Sequence, residues 1–374
     1  MEPAEAVLRF LSGVGPGSEA EFYLRLFRSR ARESFAAIVF DPDTWRENAD
    51  GVTLDLRLLA TLSLTPVVVL GFYRPEHASD YARILAAKLS DVGVASSTWD
   101  SNAHRDAIAA SAARGEIPLL QLREREPEAR DGELARALAG LSTHKLIFLR
   151  NEGWLSAHGR PLSVVNLSEE FQELMTLPDL TPEHRRLLSC SRNFVQELLP
   201  HELLVTITSP LSLLHELFTV KGAGTLLRRG ARILHQVGLK NLDTEKLWQL
   251  LEQSFGRPMR PEALDRPFAH VYIEEQYRGA ALLVDTPLAQ YLSKFAVTRQ
   301  AQGEGLGRDL WQAMLADHPR LFWRARADNP IRPFYERQCD ARVRVGEWVV
   351  YAIGVAPEHI AQIIDYALDQ PSDF

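Results

Sequence analysis

Tyr291-Leu-Ser-Lys294-Phe-Ala-Val297-Thr-Arg-Gln-Ala-Gln302-Gly303-Glu-Gly305-Leu-Gly307-Arg308 is an apolar strand running into a glycine-rich turn. Helical spacing follows at once in Asp309-Leu-Trp-Gln-Ala-Met-Leu315. A Gln-x-x-Gly-x-Gly turn in that place presents backbone N–H groups in a row, and the helix N-terminus adds its partial positive charge. Together they suit a pyrophosphate. The turn has neither the Gly-Lys-Ser/Thr of a Walker loop nor the Gly-x-Gly-x-x-Gly of a dinucleotide fingerprint. A tight turn with a helix cap would use the same glycines, so the flanking sequence has to decide between the two.

Downstream of 263 the pattern is of antiparallel strands at 269–274, 279–285 and 290–297, then a strand at 320–326 and a short helix at 331–338. Strands at 341–345 and 348–353 and a helix at 358–368 complete a mixed α+β domain of about 110 residues, within the usual domain range. Upstream, apolar runs at 35–40, 65–71, 117–122, 145–149 and 203–208 alternate with helical patterns at 54–64, 79–92, 102–114 and 131–141. A hairpin is expected at 153–165, helices at 168–175 and 182–199, and an amphipathic helix at 19–34. Short strands alternating with helices indicate a mostly parallel sheet covered on both faces. A helix at 239–255, punctuated by Gly256-Arg-Pro-Met-Arg-Pro261, reads as a connector. The expected organisation is therefore a first domain at 1–238, a linker helix at 239–262 and a second domain at 263–374.

A length of 374 residues fits two or three domains. With 46% hydrophobic and 24% charged residues there is ample material for a core. A net charge of −7 argues against a nucleic-acid-binding body. Cys190 and Cys339 lie far apart, without CxxC or metal-ligand spacing, and read as reduced core residues; no metal is expected. Met1-Glu-Pro-Ala-Glu5 is acidic and lacks a basic n-region, so no signal peptide is read. The longest apolar stretch, 66–70, is far short of a membrane span. A cytoplasmic location without membrane or nucleic-acid partners is the expectation.

Two sets of motifs carry a resemblance. Lys294-Phe-Ala-Val-Thr298, Gln302-Gly-Glu-Gly-Leu-Gly-Arg308, Phe322-Trp-Arg-Ala-Arg-Ala-Asp-Asn329 and Phe334-Tyr335 are similar to the GNAT acetyltransferase domain of vertebrate-type N-acetylglutamate synthases. Lys145-Leu-Ile-Phe-Leu149, Gly159-Arg-Pro-Leu-Ser-Val-Val-Asn166-Leu-Ser168 and Glu216-Leu-Phe-Thr-Val-Lys-Gly222-Ala-Gly224-Thr-Leu-Leu-Arg-Arg-Gly230 resemble the amino-acid-kinase-fold domain that precedes it in that family and in the related bifunctional synthase/kinases. The resemblance covers nearly the whole chain. It implies an N-terminal α/β three-layer sandwich of amino-acid-kinase type, followed by a smaller α+β GNAT domain. It also implies transfer of the acetyl group of acetyl-CoA to the α-amine of L-glutamate in arginine biosynthesis. L-Arginine is then a candidate allosteric effector, and a homo-oligomer, dimer or tetramer, is expected.

On the same resemblance, Val297, Gln302, Gly303, Gly305, Gly307 and Arg308 would hold the cosubstrate, and Tyr335 would protonate the leaving thiolate. A phenol, ordinarily titrating near pH 10, stays protonated at neutral pH and can serve as an acid. The alternative for Tyr335 is a packed aromatic with one hydrogen bond. Alternation along the strand puts Lys294 and Phe295 on opposite faces, and Arg324 and Arg326 on one face together. A lysine beside paired arginines suits a dianionic amino acid. Each arginine fits a solvated strand face equally well. Asn329 suits substrate hydrogen bonding and helix capping alike. No histidine or carboxylate stands out as a general base. The other readings of the whole chain are the same chemistry on another amino acid, and a non-catalytic arginine or N-acetylglutamate sensor.

The kinase-like half departs from its family. A Lys-x-Gly-Gly turn is expected after the first strand, but the chain has Asp41-Pro42-Asp43. The second glycine turn reads Leu70-Gly71-Phe72-Tyr73, and Arg185-Arg-Leu-Leu-Ser-Cys-Ser-Arg192 replaces a later glycine-rich segment. Phosphoryl transfer rests on positioning and charge neutralisation, so their joint loss should abolish it. Glu216, Gly222 and Gly224, with a helix at 22–30, are left as candidates for arginine binding or oligomer contacts, or as core and turn residues alone.

Overall fold

The computed structural model describes residues 17–29, 35–157, 159–198, 203–219 and 222–373. It divides into two units, Met1–Gly230 and Ala231–Phe374. In the first, strands β1 (Ala37–Phe40), β2 (Val67–Leu70), β3 (Ser96–Asp100), β4 (Ile117–Gln121) and β5 (Lys145–Leu149) alternate with helices α1 (Gly17–Arg28), α2 (Pro42–Thr61), α3 (Ala78–Asp91), α4 (Arg105–Ala113) and α5 (Pro127–Gly140). A hairpin of β6 (Leu155–Ala157) and β7 (Arg160–Leu162) leads to β8 (Val164–Asn166), α6 (Phe171–Thr176), α7 (Pro182–Arg192), β9 (Leu204–Thr208), α8 (Leu213–Phe218) and β10 (Gly224–Arg228). The sheet order is β3-β4-β2-β1-β5-β9-β10-β8, with β9 against β10 the antiparallel pair. Alternate residues of one strand feed two cores, Ala37 and Val39 on one face and Ile38 and Phe40 on the other. Both faces are thus covered, as the unbroken apolar strands require. The helix expected at 19–34 is seen as Gly17–Arg28, and 30–34 lie outside the described residues.

The second unit is a seven-stranded sheet in the order β11-β12-β13-β14-β15-β17-β16. Its strands are β11 (Ile233–Val237), β12 (Phe268–Glu274), β13 (Gly279–Val284), β14 (Gln290–Val297), β15 (Leu321–Arg326), β16 (Ala341–Val345) and β17 (Trp348–Ile353). Its helices are α9 (Thr244–Phe255), α10 (Arg299–Gly303), α11 (Leu306–Asp317), α12 (Arg332–Gln338) and α13 (Ile360–Asp369). The expected boundaries shift here. β11, assigned from sequence to the first domain, pairs with β12 along Ile233↔Glu274 to Val237↔His270. α9, read as a connector, buries Leu247, Leu250 and Leu251 in the same core as Val271, Leu282 and Phe322. The helix is amphipathic, and its apolar stripe needs a sheet to cover it. Among the described residues no helix is long and apolar enough to cross a membrane.

Candidate functional site

β14 and β15 are neighbours and parallel, but their ladder covers Gln290↔Leu321 and Tyr291↔Phe322 and stops there. Beyond those pairs β14 runs on to Val297 and β15 to Arg326, leaving an opening between two central strands. Side chains alternate across it. Leu292, Phe295, Val297, Trp323 and Ala325 face one core, with α11 and Tyr335, while Tyr291, Ala296 and Phe322 face the other.

The α11 face carries the glycine turn. Residues 299–303 form a short helical turn, and Gly305 caps α11 with φ +77°, a left-handed backbone open to glycine. Gly307 and Arg308 lie in the first turn of α11, where the Arg308 N–H donates to the Gly305 carbonyl at 3.0 Å. The Gln302 amide donates back to the Val297 carbonyl at 3.0 Å, clamping the turn to the strand. Here the sequence reading of Gln302 acquires a structural role. Gly303 ends the helical turn.

Tyr335 is buried among Trp311, Trp323, Phe334 and Tyr351, with ring centroids 5.4–6.0 Å away. Burial first, and the Tyr351 hydroxyl second, push its pKa well above the phenol value, so it is held protonated. Three more polar groups of this cluster, Trp311 Nε1, Trp323 Nε1 and the Tyr351 hydroxyl, are buried without a hydrogen-bond partner. Unpaired buried donors in native proteins are few, and each calls for an explanation. A polar ligand between these rings would satisfy them. Sequence reasoning missed Trp311, Trp323 and Tyr351; the first two lie within quoted stretches, but nothing local marks an indole as unpaired.

On the opposite face Lys294 is not open. Its side chain is 1% exposed, and Nζ lies 2.7 Å from Asp373 Oδ2 and over the Phe268 ring. Burial lowers its pKa, against the raising effect of Asp373. Arg266 donates to Asp373 Oδ1 at 2.6 Å and to the Pro371 carbonyl at 3.1 Å. Arg324 donates to the carbonyls of Leu368, Gln370 and Pro371 while stacking on Trp348. The chain's own tail therefore engages Lys294, Arg324 and Arg266, the last a residue the sequence reading missed. Arg326 shares the Trp348 ring with Arg324, as strand alternation predicts, but is 43% exposed and pairs with Asp328 and Glu347 instead of the tail. Asn329 Oδ1 accepts from the Ile331 N–H at 3.1 Å, an Asx turn that leads into α12 without capping its first turn.

In the first unit, the turn after β1 is closed to phosphate. Asp41 caps α2, accepting from the Thr44 N–H at 3.4 Å and the Thr44 hydroxyl at 3.1 Å, with Pro42 in the first turn. A carboxylate already occupies that helix N-terminus. Phe72 fills the core against Phe148 at 5.2 Å. Glu216 is buried, with Oε1 on Lys145 Nζ and Oε2 accepting from the Ala223 N–H, both at 2.7 Å. Gly222 has φ +64°, and a Cβ on it would meet Glu216 Oε2 at 2.6 Å; one on Gly224 would meet the Ile207 carbonyl at 2.1 Å. The motif is thus required by its own packing.

Residues 234–370 match the family described as NAT, N-acetyltransferase, of N-acetylglutamate synthase. The chain is similar in sequence to the N-acetylglutamate synthases. The mitochondrial N-acetylglutamate synthase of Homo sapiens is 29% identical over 416 residues, covering 97% of this chain and 77% of the relative. An acetylglutamate kinase of Xanthomonas campestris is 37% identical over 256 residues, 67% of this chain. The chain spans 59% of the length of that relative and of two Xylella fastidiosa kinases. Among solved structures, the N-acetylglutamate synthase of Neisseria gonorrhoeae complexed with coenzyme A and N-acetyl-glutamate matches with a TM-score of 0.53, at 16% identity over 90% of this chain and 98% of that one. The same synthase with coenzyme A and L-arginine gives 0.52. The synthase architecture, a mostly parallel kinase-like sheet followed by a GNAT sheet, is the fold of this chain.

Proposed function

We propose that this chain is an N-acetylglutamate synthase, moving the acetyl group of acetyl-CoA to the α-amine of L-glutamate. The observation that carries the reading is the opening between β14 and β15, with different equipment on its two sides. The α11 face, with the Gly305 turn and the unpaired donors around Tyr335, takes the cosubstrate. The opposite face, with Lys294 and Arg324, takes the dianionic acceptor. The amine nitrogen attacks the thioester carbon, and a strand-edge N–H near Val297 receives the developing oxyanion. As the tetrahedral adduct collapses the C–S bond breaks; the thiolate takes the Tyr335 proton, and the amine proton leaves through water.

For glutamate to reach Lys294 the tail has to release it. On this reading Asp373 stands in for a substrate carboxylate, held by the same cations. The first unit is an inactive kinase fold, because Asp41 fills the anion position. Arginine binding there and assembly into a dimer or tetramer belong to the proposal, supported by the named relatives. A cytoplasmic location is kept as part of it, although the vertebrate relatives are named mitochondrial.

The test is thiol release from acetyl-CoA with each common amino acid, with and without arginine. Release with glutamate alone supports the synthase reading. Release with another amino acid keeps the chemistry and changes the acceptor, and no release with any overturns it.

A further inference from the structure

On the outer edge of the second sheet, His235 of β11, His270 of β12 and His318 at the end of α11 bring one ring nitrogen each within 4.8 Å of the others. His235 Nε2 and His270 Nδ1 are 3.0 Å apart. His318 Nε2 is buried and has no hydrogen-bond partner, and its ring lies 4.3 Å from that of His270. We infer that these three imidazoles form a binding site for a single divalent cation of the zinc class.

The local structure aims each ring. His270 follows an irregularity in β12 pairing between Phe268 and His270, the kind of feature that redirects a side chain. His318 precedes Pro319, which disfavours helical backbone; φ −126° and ψ 81° end α11 there. Tyr272 stacks on His235 at 4.5 Å, and its hydroxyl donates to Asp317 Oδ2 at 2.6 Å. Nitrogens bound at about 2.0–2.1 Å around a tetrahedral zinc sit roughly 3.3 Å from one another. The observed spacing needs only small side-chain adjustment to reach that.

The far nitrogens strengthen the assignment. His235 Nδ1 is 3.5 Å from Asp317 Oδ2, and His270 Nε2 is 3.6 Å from Asp285 Oδ1. Carboxylates behind ligating imidazoles orient the rings and raise their basicity. Three neutral nitrogens with water in the fourth position favour zinc, cobalt, nickel or copper over magnesium or calcium, which prefer oxygen. No electron or group transfer is involved; the ion would tie the edge strands to the far end of the helix that starts at Gly305. The sequence expectation of no metal rested on cysteine spacing and did not weigh histidines so separated along the chain.

The test uses the metal-stripped full-length protein and Co²⁺ as probe, followed by Zn²⁺ displacement. The expected result is one equivalent of cobalt with the intense visible bands of a tetrahedral site, lost in His318→Gln and in the His235→Gln/His270→Gln pair. Zinc should also raise the melting temperature of the wild type and leave that of the variants unmoved. Circular dichroism of each metal-free variant establishes that it is folded. Absence of stoichiometric cobalt binding to the wild type, or binding by folded variants equal to wild type, overturns the inference.

Discussion

Tyr335 is enclosed by aromatic rings, so removing its hydroxyl should change the chemistry more than the packing. Tyr335→Phe is expected to lower turnover by about 100-fold while leaving acetyl-CoA affinity intact. Steady-state kinetics with glutamate check this, and unchanged turnover would remove Tyr335 from the mechanism. Tyr351→Phe removes another hydroxyl from the same cluster without changing the ring, and is expected to weaken the cosubstrate KM more than kcat. At this scale the glycine pattern was enough to locate the turn ahead of α11, while the roles given to Gly305 and Tyr335 belong to the proposal. The sequence was silent where a role depends on which atoms find partners. Nothing in Gln302 says that its amide is spent on the Val297 carbonyl, or in Arg326 that it turns to Glu347.

At the level of elements, the tail after α13 holds the cations of one face of the opening. Asp373→Asn removes the charge that engages Lys294 and Arg266. The expected result is a lower glutamate KM at similar kcat, with a glutamate-induced rise in melting temperature larger than in the wild type, because the two cations then lack a counter-charge until substrate arrives. A raised KM would instead make Asp373 a residue that positions Lys294. In the first unit, Glu216→Gln should cost about 3 kcal/mol by leaving Lys145 without its buried partner, read by denaturant unfolding. A melting midpoint equal to wild type would return Glu216 to the pool of effector ligands. Strand runs such as 145–149 and 341–345 were legible to the residue, the first as an unbroken apolar run and the second by its alternation. β3, Ser96–Asp100, was not expected; its partly exposed polar residues follow no apolar rhythm, and parallel pairing with β4 makes it a strand. α9 was assigned to a linker because its apolar stripe is visible in sequence but the sheet that receives it is not.

For the molecule as a whole, a mostly parallel sheet followed by a GNAT sheet was readable from the order of apolar runs, while the boundary near 230 was not, since only pairing reveals that β11 joins the second sheet. The kinase relatives at 37% identity make phosphoryl transfer a fair question. Incubation with ATP and N-acetylglutamate is expected to yield no ADP above background, since Asp41 puts a carboxylate at the N-terminus of α2, directly after β1. Substrate-dependent ADP would refute that. The tail has a consequence for how the chain responds to its acceptor. A tethered carboxylate is present at its own binding site at an effective concentration on the order of millimolar, however dilute the protein. If glutamate is the acceptor proposed above, it must compete with that local concentration, so half-saturation reports the strength of the tether as much as the intrinsic fit of the site. On the proposed reading the chain thus sets its own working range for acceptor, through a few residues after α13.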